Sequence, residues 1–246
     1  MNIMVISDLH IDTRDNFGTF QWNEMDFIMQ IESVRDMNNV DKVIFNGDIF
    51  ELQKYRYDDI IKANTVLMRY FNDNNFIFIK GNHDIVMDSG IEHYEITNSH
   101  GQTIHIEHGH KADWFNGSRI GRSIGKFGMS LLKKLSHSGW MMEVYFKIVA
   151  FEDQIYHIPK SYNTLKYLTY ALKLLQKHDV VILSHTHKLE SHHTYYLNKK
   201  KRYLNSGSCS MGRFQGILLD TETLKYELIK ETKDSMKNTY QMAYAI

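Results

Sequence analysis

Short apolar runs alternate with amphipathic stretches along the first third of the chain. Ile3 to Ser7 is apolar and runs into Asp-Leu-His; a polar loop follows, and Met25, Ile28, Met29, Ile31 and Val34 then recur at helical intervals over Glu24 to Asn38. Lys42 to Asn46 reads as a second strand closed by Gly-Asp. Asp58 to Phe71, with Ile60, Ile61, Val66, Leu67 and Tyr70 apolar, predicts one helix, and Phe76 to Lys80 a third strand ending in Gly-Asn-His-Asp. Strand, helix, strand, helix, strand implies a parallel or mixed sheet with covering helices. Ligands of such sheets sit beyond the carboxyl ends of the strands, and all three acid and histidine clusters fall there.

Further along, Glu92 to Thr97 and Gln102 to Glu107 flank Asn98-Ser99-His100-Gly101, a hairpin signal that leads into His108-Gly109-His110. From Lys111 to about Lys177 the pattern is helical. The single proline, Pro159, separates an insertion at about 111–160 from a last helix over Tyr162 to Lys177. Val180 to Leu183 is a strand of the fully buried kind and ends in Ser184-His185-Thr186-His187. Turns near Asn198-Lys199 and Asp220-Thr221 divide the remainder into antiparallel strands up to Ile229, and a polar tail covers about 231–246.

Composition changes this picture little. With 246 residues, 43% of them hydrophobic and 24% charged, the chain suffices for one large domain. A formal net charge of +0 gives no global pull toward nucleic acid or anionic membrane. The lone Cys209 excludes an internal disulfide and fits a reducing compartment. The N-terminus lacks a basic n-region, and no apolar run approaches the roughly 20 residues of a spanning helix. The expectation is a soluble, cytoplasmic protein.

The chemistry lies in the spacing of the acids and histidines. Any one Asp-x-His after a strand is more often a capped loop than a ligand pair. Five such clusters in one chain, each at a predicted strand end, are a different matter: Asp8-x-His10, Gly47-Asp48, Gly81-Asn82-His83-Asp84, His108-Gly109-His110 and His185-x-His187. Carboxylates with imidazoles suit Mn, Fe, Zn or similar ions, and the absence of clustered cysteines disfavours a structural zinc site.

In order and spacing these clusters resemble the calcineurin-like metallophosphoesterase family, from Met1 to about Ile229. The resemblance implies an α/β fold: a four-layer β-sandwich flanked by helices, with the 111–160 insertion as a helical cap on a single domain. It also implies two divalent metal ions, manganese first with iron or zinc as alternatives. Asp8, His10 and His187 would hold one, Asn82, His108 and His185 the other, and Asp48 would bridge them. His83 would act on the phosphate without ligating, with Asp84 as the partner that orients its ring and favours its charge. Phosphoester hydrolysis needs a nucleophile at neutral pH and neutralisation of phosphoryl charge, which two metals about 3.5 to 4 Å apart supply by activating water to hydroxide. His83 can then stabilise the transition state or protonate the leaving oxygen.

The last motif begins with Ser184 where the family pattern has glycine, so a positive φ at that position would strain the loop. His110 reads as a support for His108 or an alternative ligand to it, the family pattern favouring His108, and Asp113, His137, His157, His178, His192 and His193 read as surface or core residues.

For the substrate, Gly47-Asp48-Ile49-Phe50-Glu51 and the long insertion resemble the UDP-diacylglucosamine pyrophosphohydrolase branch, which places a helical cap over its metals. Ile120, Ile124, Phe127, Leu131 and Leu135 form an apolar stripe. Arg119, Arg122 and Lys126 lie on a neighbouring face, as contacts for a substrate phosphate. The apolar stripe would meet acyl chains or, peripherally, a membrane surface; it serves equally as a cap helix packed on the core. Enzymes of that branch often carry arginine at the position of His83. The substrate is therefore read as a phosphodiester, pyrophosphate or phosphomonoester, in a phosphorylated small molecule, a nucleotide, a nucleic acid or a lipid-linked UDP-sugar, with a non-enzymatic scaffold stabilised by metal as the other reading.

Overall fold

The computed structural model describes residues 1–84, 90–112 and 161–233. The cap and most of the C-terminal tail, with Arg119, Arg122 and Lys126, lie outside the described residues.

Two five-stranded mixed sheets form the centre. The first has the order β10-β9-β1-β2-β3 and the second β4-β5-β6-β8-β7. In the first, β1 (Asn2–Ile6), β2 (Lys42–Asn46) and β3 (Ile77–Ile79) run parallel, and β9 (Arg213–Asp220) and β10 (Tyr226–Thr232) are antiparallel. In the second, β5 (Thr103–Ile106), β6 (Val180–Leu183) and β8 (Lys199–Ser206) are parallel, edged by β4 (Tyr94–Thr97) and β7 (Leu189–Tyr196).

Strand side chains alternate between faces, and every central strand here is buried on both. Ile3, Val5 and Ile44 join Ile104, Ile106, Val180, Ile182 and Leu204 in one cluster between the sheets. Met4, Ile6, Val43 and Phe45 point the other way, onto α1 (Glu24–Met37), α2 (Tyr57–Ala63) and α3 (Thr65–Asp73). Val181, Leu183 and Tyr203 face α4 (Ser161–Leu175) through Ala171 and Leu175. The result is the expected α/β layering, helices, sheet, sheet, helix. Burial on both faces explains why these strands read as unbroken apolar runs.

One predicted helix is two. Asp58 to Phe71 breaks at Asn64, whose backbone leaves the helical region (φ −133°, ψ 49°). Its buried amide donates to the carbonyls of Asp12 at 2.7 Å and Ile60 at 2.9 Å, and its Oδ1 accepts from Arg14 Nε at 2.9 Å. An asparagine that satisfies neighbouring backbone groups competes with the helix ladder; here it fastens the loop that follows Asp8 and His10. The Asn98 hairpin forms as expected, with Asn98 Oδ1 accepting the amides of His100 and Gln102. β10 extends to Thr232, into the segment read as tail. Among the described residues no helix is long and apolar enough to cross a membrane.

Candidate metal centre

The five clusters follow the carboxyl ends of β1, β2, β3, β5 and β6, so the parallel strands of both sheets deliver them to one edge of the sandwich. Asp8, His10, Asp48, His185 and His187 all have left-handed backbones, with φ between 51° and 70°. For a residue with a Cβ such a conformation costs of order 1–3 kcal/mol, and it persists where surrounding structure enforces it. Enforcement is visible at Asp8, whose amide donates to the Gly47 carbonyl at 3.0 Å, and at His10, whose amide donates to the Asp48 carbonyl at 3.0 Å. Two glycines allow the close approach. A Cβ on Gly47 would stand 2.4 Å from the His108 ring, and one on Gly81 would stand 2.1 Å from the Asp48 carboxylate.

The side chains converge in two linked groups. In one, Asp8 Oδ1 lies 3.2 Å from His187 Nε2, and the Nε2 atoms of His10 and His187 face each other at 3.4 Å. In the other, His108 Nε2 is 3.2 Å from Asp48 Oδ2 and 3.3 Å from Asn82 Oδ1. The ligating atoms of Asp48, His108 and His185 lie within 4.8 Å of one another, as do those of Asp8, His10 and His187. Asp48 also meets His10 and His83 within that range, which joins the two groups.

These donors fit a pair of divalent transition ions. Asp8 Oδ1 is buried with no well-formed hydrogen bond, only the His187 imidazole facing it at 3.2 Å, a costly state for a carboxylate oxygen unless a positive charge completes its surroundings. Two imidazole nitrogens pointed at each other are likewise arranged for a shared cation. The outer nitrogens are held as metal-binding histidines require. His108 Nδ1 donates to the Asn46 carbonyl at 2.9 Å, which turns the Nε2 lone pair toward Asp48 and Asn82. His10 Nδ1 stands at ion-pair distance, 3.2 Å, from Glu51.

Electrostatics agree. Burial pushes the Asp48 carboxyl up, but His108 and His83 beside it outweigh burial and hold it well below the usual carboxylate range. Burial alone would lower His108, yet Asp48 raises it to about 10; a cation between the two would take over the role of that proton. His185 is pushed down to about 3, by burial and then by His108, and stays a neutral donor.

His83 is partly open, with 22% of its side chain exposed, as is the His187 side chain. Its Nδ1 meets Glu51 Oε1 at 2.7 Å, and its Nε2 lies 4.0 Å from Asp48. Burial lowers its pKa, but Glu51 and Asp48 outweigh this and raise it. The expected pairing with Asp84 does not occur. Asp84 points inward and accepts the amides of Ile49 at 2.7 Å and Gly81 at 2.6 Å, pinning the loops after β2 and β3 together. Burial, with Asp48 nearby, lifts its carboxyl to about 6. Geometry decides this: Asp84 follows His83 directly, and its carboxylate is claimed by two buried amides that nothing else satisfies.

Ser184 escapes the feared strain, because the left-handed residue is its neighbour His185. Its hydroxyl donates to the Asn46 carbonyl at 2.7 Å and sits 2.8 Å from His108 Nδ1, a second acceptor for that ring N–H. Ser184→Ala is expected to weaken metal binding about 10- to 100-fold and stability by about 1 kcal/mol, measured by metal titration and denaturant unfolding. Unchanged affinity would remove Ser184 from the support of His108.

His110 is buried 5.5 Å from the His108 ring and pushed down to about 4 by burial and His108. Two groups escaped notice in the sequence. Glu51 links His10 and His83, although Gly-Asp-x-x-Glu was in view as a motif. The run Asn205 to Ser210 lies under the ligand loops: Ser208 Oγ donates to the Asp8 carbonyl at 3.0 Å, and Asn205 Nδ2 to the Ser184 carbonyl at 3.0 Å. No periodicity marks it. Cys209 within it is buried, and its thiol is pushed up to about 12, chiefly by burial.

A sequence model described as calcineurin-like phosphoesterase matches residues 1–189. Among solved structures, the chain is similar to an archaeal phosphodiesterase at 17% identity, covering 94% of this chain and 100% of that one, with a TM-score of 0.45. A dimetal phosphatase from Danio rerio matches at 10% identity over 94% and 98%, with a TM-score of 0.48. Zinc-bound Vps29 from Entamoeba histolytica matches at 18% identity over 94% and 99%, with a TM-score of 0.42. Likenesses this distant carry neither substrate nor activity across. No curated protein matches the chain.

Proposed function

The chain belongs to the calcineurin-like phosphoesterase family, a family of metal-dependent hydrolases, and from that premise we propose that it cleaves a phosphodiester or pyrophosphate, with His83 as its proton donor. The observation that carries this reading is the pairing of a convergent ligand set with one histidine outside it, held by Glu51 and partly open to solvent.

Asp8, His10 and His187 would hold one ion, and Asn82, His108 and His185 the other, with Asp48 between them. Manganese is the first choice and iron or zinc the alternatives, since imidazole with carboxylate suits all three. When bound, such a pair supplies a nucleophile at neutral pH and offsets charge on the phosphoryl oxygens. The protein does the rest. Glu51 fixes the His83 ring through Nδ1, so Nε2 is the atom that presents a proton to the leaving oxygen, and the Glu51 carboxylate beside the ring favours its protonated form. Asp84 and the glycines hold the loops at the spacing this needs.

A finer reading is a lipid-linked UDP-sugar pyrophosphate, with Arg119, Arg122 and Lys126 as phosphate contacts and the apolar stripe of the insertion as a contact for acyl chains or a membrane surface. It rests on the Gly47 to Glu51 run and the basic face of the insertion. A substrate panel separates the readings: manganese-loaded protein is offered bis-p-nitrophenyl phosphate, p-nitrophenyl phosphate and a UDP-linked acyl sugar. Diester cleavage is expected. Cleavage of the monoester alone would refute the proposal, and rapid turnover of the UDP-sugar would select the finer one.

A further inference from the structure

A second cluster of ligand-type side chains lies on the outer face of the second sheet, apart from every residue assigned above. Glu95 of β4 stands directly opposite His105 of β5. Because Ile104 and Ile106 face the other sheet, alternation turns His105 outward, toward α4. Three imidazole nitrogens converge there on one carboxylate oxygen, Glu95 Oε1: His105 Nδ1 at 2.9 Å, His178 Nε2 at 3.7 Å and His93 Nε2 at 3.9 Å. The rings form a stack with His105 in the middle, 5.1 Å from His93 and 4.6 Å from His178.

We propose that Glu95, His105 and His178 form a further metal site, with His93 stacked beside it, one that takes zinc or a similar imidazole-preferring ion and staples the edge strand β4 to β5 and to the turn between α4 and β6.

Ligand chemistry is the first argument. Stacked rings cannot all carry protons without repulsion, whereas a divalent cation between Glu95, His105 and His178 satisfies these three groups together. Two imidazole nitrogens and a carboxylate oxygen suit zinc, cobalt, nickel or copper, not magnesium or calcium. Ligand atoms about 2.05 Å from a tetrahedral zinc lie roughly 3.3 Å apart, and the His105 and His178 distances to Glu95, 2.9 and 3.7 Å, bracket that spacing. The ligating atoms of Glu95, His105 and His178 are already within 4.8 Å of one another.

Support of the central ligand is the second argument. His105 Nε2 meets Glu107 Oε2 at 3.1 Å, and the other Glu107 oxygen accepts the Tyr170 hydroxyl at 2.7 Å. A carboxylate on the outer nitrogen fixes the ring and leaves Nδ1 for a metal, the arrangement that supports metal-binding histidines generally. His105 is buried while half of the Glu95 side chain is exposed, so an ion can enter from solvent onto an anchored ligand. Nothing in the phosphoesterase reading needs these residues.

Metal content of the full chain tests the site, after chelator treatment and equilibrium dialysis against zinc. Wild-type protein is expected to retain one equivalent more than a Glu95→Ala, His178→Ala double variant, with turnover unchanged between them. Asp48→Ala protein, whose dinuclear centre is damaged, is expected to keep that equivalent and to show tetrahedral cobalt absorption on substitution. If the double variant folds poorly, the single His178→Ala replaces it, with retention weaker by at least about tenfold, since losing a direct ligand costs no less than losing its support. Equal zinc content in wild type and variants, or no zinc retained by Asp48→Ala protein, would overturn the site. Neither result depends on which phosphoester is hydrolysed.

Discussion

Asp48→Ala is expected to lower turnover of bis-p-nitrophenyl phosphate by roughly 10³-fold or more. A metal pair contributes several kcal/mol of transition-state charge stabilisation, and each tenfold in rate corresponds to about 1.4 kcal/mol. Asp48 is the residue that joins the two groups of ligands. One oxygen faces His108 at 3.2 Å and the other accepts the His83 amide at 2.8 Å. Its loss therefore strips charge from both groups and frees the backbone that carries the proton donor. Asp48→Asn, which keeps the shape, is expected to lose nearly as much. Turnover measured alongside bound metal is the check; a variant that keeps both its metals and its rate would refute the bridging role.

The second large effect concerns the proton donor. His83→Ala is expected to reduce kcat by about 10²- to 10⁴-fold, the usual contribution of a positioned acid, with bound metal unchanged. Glu51→Gln should cost less, about 10- to 100-fold, because the His83 ring remains and what weakens is its orientation and charge, together with the hold on His10. Asp84→Asn should behave differently. Its carboxylate accepts two buried amides, and an amide group in its place sets one N–H against another, a loss of about 1–3 kcal/mol of stability. The three variants, assayed for kcat and for unfolding midpoint, separate a partner of His83 from a clamp on its loop. A kcat loss in Asp84→Asn at full stability, with Glu51→Gln intact, would reverse the assignment.

Much of the frame was legible because it is periodic. Central strands buried on both faces read as apolar runs, and the five ligand clusters stand where those runs stop. The edge strand β4 and the hairpin turn at Asn98 were equally local. What escaped reading was any fact that depends on contact between distant residues. Glu51 meets His83 across the gap between two loops, while Asp84 is adjacent in sequence and turned away. Asn64 ends a helix only because the Asp12 carbonyl and Arg14 are there to be satisfied. Ser184, taken from the sequence as a point of strain, works through its hydroxyl on His108. His93, His105 and His178 share no spacing motif; hairpin pairing and the end of a helix bring them together.

The left-handed backbones at Asp8, His10, Asp48, His185 and His187 bear on how such a site can change over generations. Each holds a side chain where glycine would rest more easily, so together the ligands draw down a stability that is itself only about 5–15 kcal/mol in a typical domain. Glycine at any of them would relax the backbone and spoil the chemistry in one step. Selection for persistence and selection for catalysis pull in opposite directions at the same five positions. Once released from the second, a descendant lineage would shed its ligands while its sandwich grew sturdier.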